Sequence, residues 1–296
     1  MISGSFPSNF SLPNLVTFRC GQNEISGSIP TTFGLMSRLV ELELGSNSLS
    51  GTVPTELGGM TSLDTLDLSK NKLRGTLPSE IARISTLLNL VISNNKLSGG
   101  IPSSLALMPN LRRVKLDSNS LDGTFPECLS EMRALEIAIF SKNSFSGSIP
   151  DSLFASTTLY NLYAQDNQLT GTISSSISAS PSLHVLDVAN NQLTGTIPTL
   201  PFSLSRLVLF GNHLSGTLPQ APPSLEEYIV SDNQLTGTIP PFPDYTSTLQ
   251  ILYVDDNNLS GSVPDLCGMS VSQLMYLFRL RWPRLTLLSI CRDKSL

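Results

Sequence analysis

The sequence predicts a solenoid, one elongated stack of strand-and-return units sharing a parallel β-sheet. Three observations predict it. An asparagine recurs at positions 23, 47, 71, 95, 119, 143, 167, 191, 212, 233 and 257, in steps of 24 residues broken by two steps of 21. A glycine follows every one of these asparagines by four residues, from Gly27 to Gly261. A proline follows by seven in every unit but one, where Ser174 stands. A fixed period of this length marks supersecondary units that bury their apolar faces by stacking. A chain of 296 residues would otherwise suggest one or two compact domains. The repeat overrides that expectation: eleven strands at about 4.8 Å spacing give a stack on the order of 50 Å long.

Each position of the unit has a physical role. In LVELELGSNSLSGTVP (39–54), Leu42 and Leu44 put two side chains on one face of a strand, and Glu43 between them points the other way. Parallel strands need a crossover of a dozen or more residues, which the rest of the unit supplies. The asparagine falls where the chain turns out of the strand, and its amide can satisfy backbone groups of its own and neighbouring turns. The glycine allows a bend that a Cβ would obstruct, and the proline fixes φ at the start of the return segment.

This L-x-x-L-x-L-x-x-N-x-L-x-G-x-I-P unit resembles the plant-type leucine-rich repeat, whose diagnostic addition is the L-x-G-x-I-P segment. It occurs in ectodomains of receptor-like kinases and receptor-like proteins and in polygalacturonase-inhibiting proteins. Variants such as Thr194 to Pro198 (TGTIP) are also similar to leucine-rich-repeat surface antigens of kinetoplastid protozoa. The resemblance covers about residues 1–266. It implies an α/β solenoid, a leucine-rich-repeat horseshoe with a parallel β-sheet on the concave face and short turns or 3₁₀ segments on the convex face. It also implies a cell-surface or extracellular location, with any membrane helix and kinase lying outside this chain.

Taken in order, the chain begins in mid-repeat. In MISGSFP, Ile2 stands for the leucine after the asparagine, Gly4 for the glycine and Pro7 for the proline. Solenoids need capped ends, so a longer natural protein is expected, the alternative being a half unit that caps itself. The rhythm is regular to Pro198. The next two units are three residues shorter and proline-rich (PTLPFSLSRL, PQAPPSLEEY), which predicts less helical convex structure there. Residues 267–296 follow no unit. Arg279, Arg281, Pro283 and Arg284 interrupt them, so no run reaches the roughly 18 apolar residues of a spanning helix. Three readings stay open for this tail: a cap on the last unit, a misread end of a longer protein, or a basic amphipathic surface anchor.

Charge is uneven. Residues 149–266 hold 10 acidic side chains and a single basic one, Arg206, which disfavours nucleic acid as a partner. Cys20, Cys128, Cys267 and Cys291 form neither a disulfide framework nor a metal pattern. There is no P-loop, GxSxG elbow or HExxH. His184 and His213 lack a positioned nucleophile or third ligand, and Asp166, Asp232, Asp255 and Asp256 read as solvated loop carboxylates. The expectation is a non-enzyme that needs no cofactor.

Binding is what the architecture offers. Outward residues of successive strands should form columns on the concave face, and most of a purely solvated face would be polar. Here Val91, Ile137, Ile139, Tyr163 and Val185 form an apolar patch joined by Tyr160, with Arg113 and Lys115 on one flank and Asp187 on the other. Aromatic and aliphatic anchors with a charged rim are what protein interfaces use. Two N-glycosylation sequons begin at Asn9 and Asn258, both at expected surface positions. The leading expectation is therefore a receptor-like recognition module, binding a protein or peptide on its concave face. The alternatives are a secreted inhibitor of a wall-degrading enzyme and a repetitive surface antigen.

Overall fold

The period of the inward leucines fixes which strands meet. In the computed structural model, which describes residues 1–242 and 248–262, eleven three-residue strands pair in parallel in strict sequence order. We label them β1 (Thr17–Arg19), β2 (Glu41–Glu43), β3 (Thr65–Asp67), β4 (Asn89–Val91), β5 (Arg113–Lys115), β6 (Ile137–Ile139), β7 (Asn161–Tyr163), β8 (Val185–Asp187), β9 (Arg206–Val208), β10 (Glu227–Ile229) and β11 (Ile251–Tyr253). Their middle residues point inward, and most, like Leu42, Leu66, Leu90 and Val114, are wholly buried. The chain is thus a leucine-rich-repeat solenoid of parallel strands.

The return segments behave as their composition predicts. Seven five-residue 3₁₀ turns, from Thr31–Leu35 to Ser175–Ala179, each send at least one apolar side chain back to the core, such as Phe33, Leu57 and Ile81. Six follow a proline in extended conformation. Where Ser174 replaces the proline, its hydroxyl accepts from the Ser176 N–H and caps the turn instead. No 3₁₀ turn occurs among the described residues after Ala179, where the prolines accumulate.

The asparagines form a ladder between turns. Asn47 Nδ2 donates to the carbonyls of Cys20 (3.0 Å) and Leu44 (3.1 Å), and its Oδ1 accepts from the Ile25 N–H at 2.9 Å. One amide therefore ties its own unit to the one before it, satisfying groups that burial would otherwise orphan. The residue ahead of the ladder asparagine is left-handed in unit after unit, from Gln22 (φ 57) to Asp256 (φ 49).

Beyond the ladder, the L-x-G-x stretch does more than bend. It pairs in parallel with its neighbours as a second, lateral set of strands. Ser3–Ser5 to Ser120–Leu121 make a six-stranded sheet, Ser146–Gly147 pairs with Gln168–Leu169, and Thr194–Thr196 to Asn258–Leu259 make a four-stranded sheet. The unit glycine explains the pairing. With Gly171 at φ 80, its carbonyl accepts from the Thr194 N–H of the next unit at 2.8 Å. A side chain in that conformation would be strained.

Aromatic clusters fill two parts of the core. Phe6 and Phe10 of the opening half unit pack against Phe18 and Phe33, with ring centroids 5.3–6.1 Å apart. Phe125, Phe140 and Phe145 form an edge-to-face trio under β6. Cys20 is half-buried beside the core, and burial pushes its thiol up to about 11. Cys128 is likewise half-buried and raised, while Cys267, Cys291 and the tail reading lie outside the described residues.

Tyr228 is the misfit. It holds an inward strand position, is fully buried, and its hydroxyl finds no partner. An unmade buried hydrogen bond costs about 1–3 kcal/mol. Tyr228→Phe is therefore expected to raise the thermal midpoint, by about 1 kcal/mol of stability. A lower midpoint in a calorimetric scan would show that the hydroxyl is satisfied.

Candidate functional site

The predicted concave residues fall into two rows across the sheet. Register pairs Asn89, Arg113, Ile137, Asn161, Val185 and Arg206 in one row. Val91, Lys115, Ile139, Tyr163, Asp187 and Val208 form the other. Val91, Ile137, Ile139, Tyr163 and Val185 are half-buried in this surface. The last four lie on three neighbouring strands about 4.8 Å apart, β6 to β8, and are contiguous, while Lys115 on β5 separates Val91 from them.

At the N-terminal edge of the same strands, Tyr160 is 46% exposed. It stacks on His184 with ring centroids 3.9 Å apart and planes 14° from parallel. The His184 Nδ1 lies 2.7 Å from the Ser182 carbonyl, which gives it the proton when the ring is neutral and leaves Nε2 as an acceptor. The pair extends the apolar patch by a flat polar-edged platform. Sequence reasoning placed Tyr160 here but set His184 aside. The two are 24 residues apart, one full period, so adjacency was already implied.

The charged flanks differ from expectation in one respect. Arg113 is exposed and lies 3.2 Å from Asn89 Oδ1, with Glu136 4.0 Å away. Lys115 beside it is half-buried. Asp187, expected as the opposing exposed charge, is only 6% exposed, and its Oδ1 accepts from the Ala189 N–H at 3.3 Å. Val208, its partner across the sheet, is buried as well. The apolar patch consequently has its available charge on the Arg113 side. Two further polar atoms, Asn161 Oδ1 in the first row and Gln165 Oε1 just past β7, are buried without a hydrogen-bond partner.

Burial raises the Asp187 carboxyl above its ordinary value, against the opposing effects of the Ala189 N–H and Arg206. The folded chain therefore holds this proton to higher pH than the unfolded chain does. Stability falls as pH rises from the ordinary carboxylate range through the raised value. Asp187→Asn should remove that loss while keeping the acceptor for Ala189. The variant is expected to be the more stable near neutral pH, with the two chains converging below the ordinary carboxylate range. A constant gap across a pH series of thermal melts would refute this.

The remaining predicted positions are structural or exposed. Asp166 accepts from Asn190 Nδ2 at 2.7 Å, and Asp255 is hydrogen-bonded to Ser231. Asn9 and Asn258 are both exposed. Among the described residues, no helix is long and apolar enough to cross a membrane.

Comparison with known proteins agrees with this geometry. The family description "Leucine rich repeat" matches residues 13–73, and the same repeat matches again at 86–108, 182–204 and 248–269. No curated protein sequence matches the chain. Among solved structures, the plant peptide hormone receptor RGFR1 in complex with RGF2 superposes with a TM-score of 0.83 at 34% identity, over 90% of this chain and 44% of that one. The Arabidopsis receptor kinase HAESA, in complex with the peptide hormone IDA and the co-receptor SERK1, gives 0.81 at 30%, over 96% of this chain and 47% of that one. A plant ice-binding protein gives 0.74 at 29%, over 83% of this chain and 82% of that one. Repeat, register and superposition together define a leucine-rich-repeat protein. The L-x-G-x-I-P segment and the plant receptor ectodomains it superposes on make it one of the plant type. The chain spans less than half the length of the RGFR1 and HAESA chains.

Proposed function

We propose that this chain is the ligand-recognising part of a receptor-like, extracellular leucine-rich-repeat protein, and that it binds a peptide or protein segment on its concave face without catalysing a reaction on it. The observation that carries this reading is the contiguous patch of Ile137, Ile139, Tyr163 and Val185, edged by the Tyr160–His184 stack. Anchors of this kind dominate binding when they sit together and shed water together. Arg113 and Lys115 at one end would favour a segment with an acidic group there, setting its direction along the face. The peptide-hormone complexes of RGFR1 and HAESA support the same reading.

The test is a selection of random displayed peptides on the immobilised chain, followed by binding to the Ile139→Asp/Tyr163→Asp variant. Selected peptides are expected to lose at least about tenfold in affinity, or ~1.4 kcal/mol. Undiminished binding to a variant that melts like the parent would move the site off this face. An enzyme-inhibitor role predicts instead a fall in polygalacturonase activity on adding the chain. A surface-antigen role predicts no selected peptide at all.

A second reading, binding to ice, has one specific observation in its favour. The superposition with the plant ice-binding protein covers most of both chains, unlike those with the receptors. It draws on a different face of the molecule.

A further inference from the structure

The lateral strands carry an ordered array of hydroxyls that the concave-face reading leaves unused. In six successive units, from Ser146 to Ser262, both residues flanking the unit glycine are serine or threonine. No charged or aromatic side chain enters either row over that length. The first three glycines have the same flanks, Ser3 and Ser5, Ser26 and Ser28, Ser50 and Thr52, but Arg74, Gly100 and Asp122 then break the pattern in three successive units. The long unbroken array therefore lies in the C-terminal half, where the chain has its fewest cations.

Its geometry is held on both sides of the glycine. On the near side, Thr194 Oγ1 donates to Gly171 O (3.2 Å), Ser215 Oγ to Gly195 O (3.4 Å) and Thr236 Oγ1 to Gly216 O (3.3 Å). Each proton is turned inward to the preceding unit, and the oxygen lone pairs are left facing out. On the far side, the Thr196 and Thr238 methyls lie over the next unit's glycine, where a Cβ on Gly216 or Gly261 would come within 2.7 Å of them. The glycines thus leave the room that the threonine methyls occupy. Register then sets far-side and near-side residues of adjacent units level, Thr196 with Ser215 and Thr217 with Thr236. The result is a staggered, repeating array of hydroxyls and methyls, stepping about 4.8 Å from strand to strand.

Such a surface is poorly suited to a protein or a flexible polymer. It has no large apolar anchor and no charge, and each hydroxyl gains little by exchanging one water for another partner. Apart from His213, level with Thr194, its two rows present no aromatic plane on which a sugar ring could stack. A crystalline array of water is different. Its oxygens repeat at a spacing close to that between β-strands, so waters held by successive hydroxyls can occupy lattice positions together. Many weak contacts then act at once on a rigid body, and little ordering entropy remains to be lost. The methyls contribute by shedding their own hydration.

We propose that this lateral face, from Ser146 to Ser262, is a surface that adsorbs to ice, with the Thr194–Thr196, Ser215–Thr217 and Thr236–Thr238 pairs at its centre. The assignment rests on the ice-binding reading above, and names the face responsible. The test measures inhibition of ice recrystallisation by the full chain under polarised light, beside Thr196→Lys and Thr236→Lys, made separately, and the concave Ile139→Asp. Both lysines sit at exposed positions, where substitution leaves stability nearly unchanged. Either one alone suffices if thermal melts show the other to be unfolded. The parent and Ile139→Asp are expected to inhibit equally, and each lysine variant to need at least about tenfold more protein. An inactive parent overturns both the ice reading and the assignment. An active parent with undiminished lysine variants leaves the ice reading standing and overturns this face. Retention of the parent on microcrystalline cellulose, lost with Thr196→Lys, would reassign the array to a polysaccharide and overturn the proposal.

Discussion

Replacing Phe140 with alanine is expected to lower the stability of the chain by about 4 kcal/mol, the largest effect of any single change considered. Phe140 has no exposed surface, and its ring meets Phe125 and Phe145 edge-to-face at 5.8 and 5.9 Å. Truncating a buried phenylalanine costs roughly 3–5 kcal/mol, because the cavity it leaves collapses only in part. The surroundings here have little room to collapse. The strand on one side and the next unit on the other are fixed by sheet hydrogen bonds, including the Phe140 N–H to Tyr163 carbonyl at 2.8 Å. For a domain of this size the loss corresponds to a fall in melting midpoint of roughly 10 °C. Because Phe140 directly follows Ile139, the same cavity should loosen the centre of the concave patch and weaken peptides selected against the parent. Phe140→Leu keeps most of the volume and should lose less than half as much. Alanine and leucine variants that melt alike would show the trio to be loosely packed.

How far this architecture was readable in the sequence depends on what the period encodes. A fixed step determines register, and register determines neighbours. That Ile137, Asn161 and Val185 stand side by side, or that Tyr160 meets His184, follows from 24-residue spacing without any coordinates. The inward leucines and the ladder asparagines are legible for the same reason, each position having one environment repeated along the stack.

Exposure at a given register is not encoded that way. Asp187 occupies the same place in its unit as Lys115 and Tyr163, yet its carboxyl is buried. The units that follow it are shorter by three residues, and local curvature and the bulk of neighbours decide how much water reaches a side chain. The lateral strands were hidden by a different cause. The alternation that announces a strand is broken in L-x-G-x by a glycine at positive φ, so a segment that pairs in register reads as a bend. The hydroxyl pairs on either side of that glycine were visible as letters, but their meaning depends on the pairing.

The ladder gives the other large prediction. Asn191→Leu is expected to cost about 3 kcal/mol, and the way that cost arises distinguishes a structural amide from a merely buried one. Asn191 Nδ2 donates to the carbonyls of Ala164, Val188 and Ala189, each at 3.0 Å, and its Oδ1 accepts from the Leu169 N–H at 2.9 Å. All three of those carbonyls keep a partner when the amide is removed, since Asn167 also donates to Ala164, Asn212 to Val188 and the Asp166 N–H to Ala189. The Leu169 N–H has no such reserve and becomes a buried donor without an acceptor, which costs about 1–3 kcal/mol beyond the bonds lost. Asn191→Asp separates the two halves of the amide's work. It retains an acceptor for Leu169 but turns a carboxylate toward three carbonyls in a buried site, so burial and carbonyl repulsion should raise its folded pKa well above the unfolded one. Its deficit should therefore be greatest near neutral pH and shrink as the pH falls into the ordinary carboxylate range, where a protonated oxygen can donate. The leucine variant should show no such recovery. Thermal melts of both across that range decide the matter: parallel pH profiles would mean that the amide protons contribute nothing that the oxygen does not, and that the ladder is held by its acceptors alone.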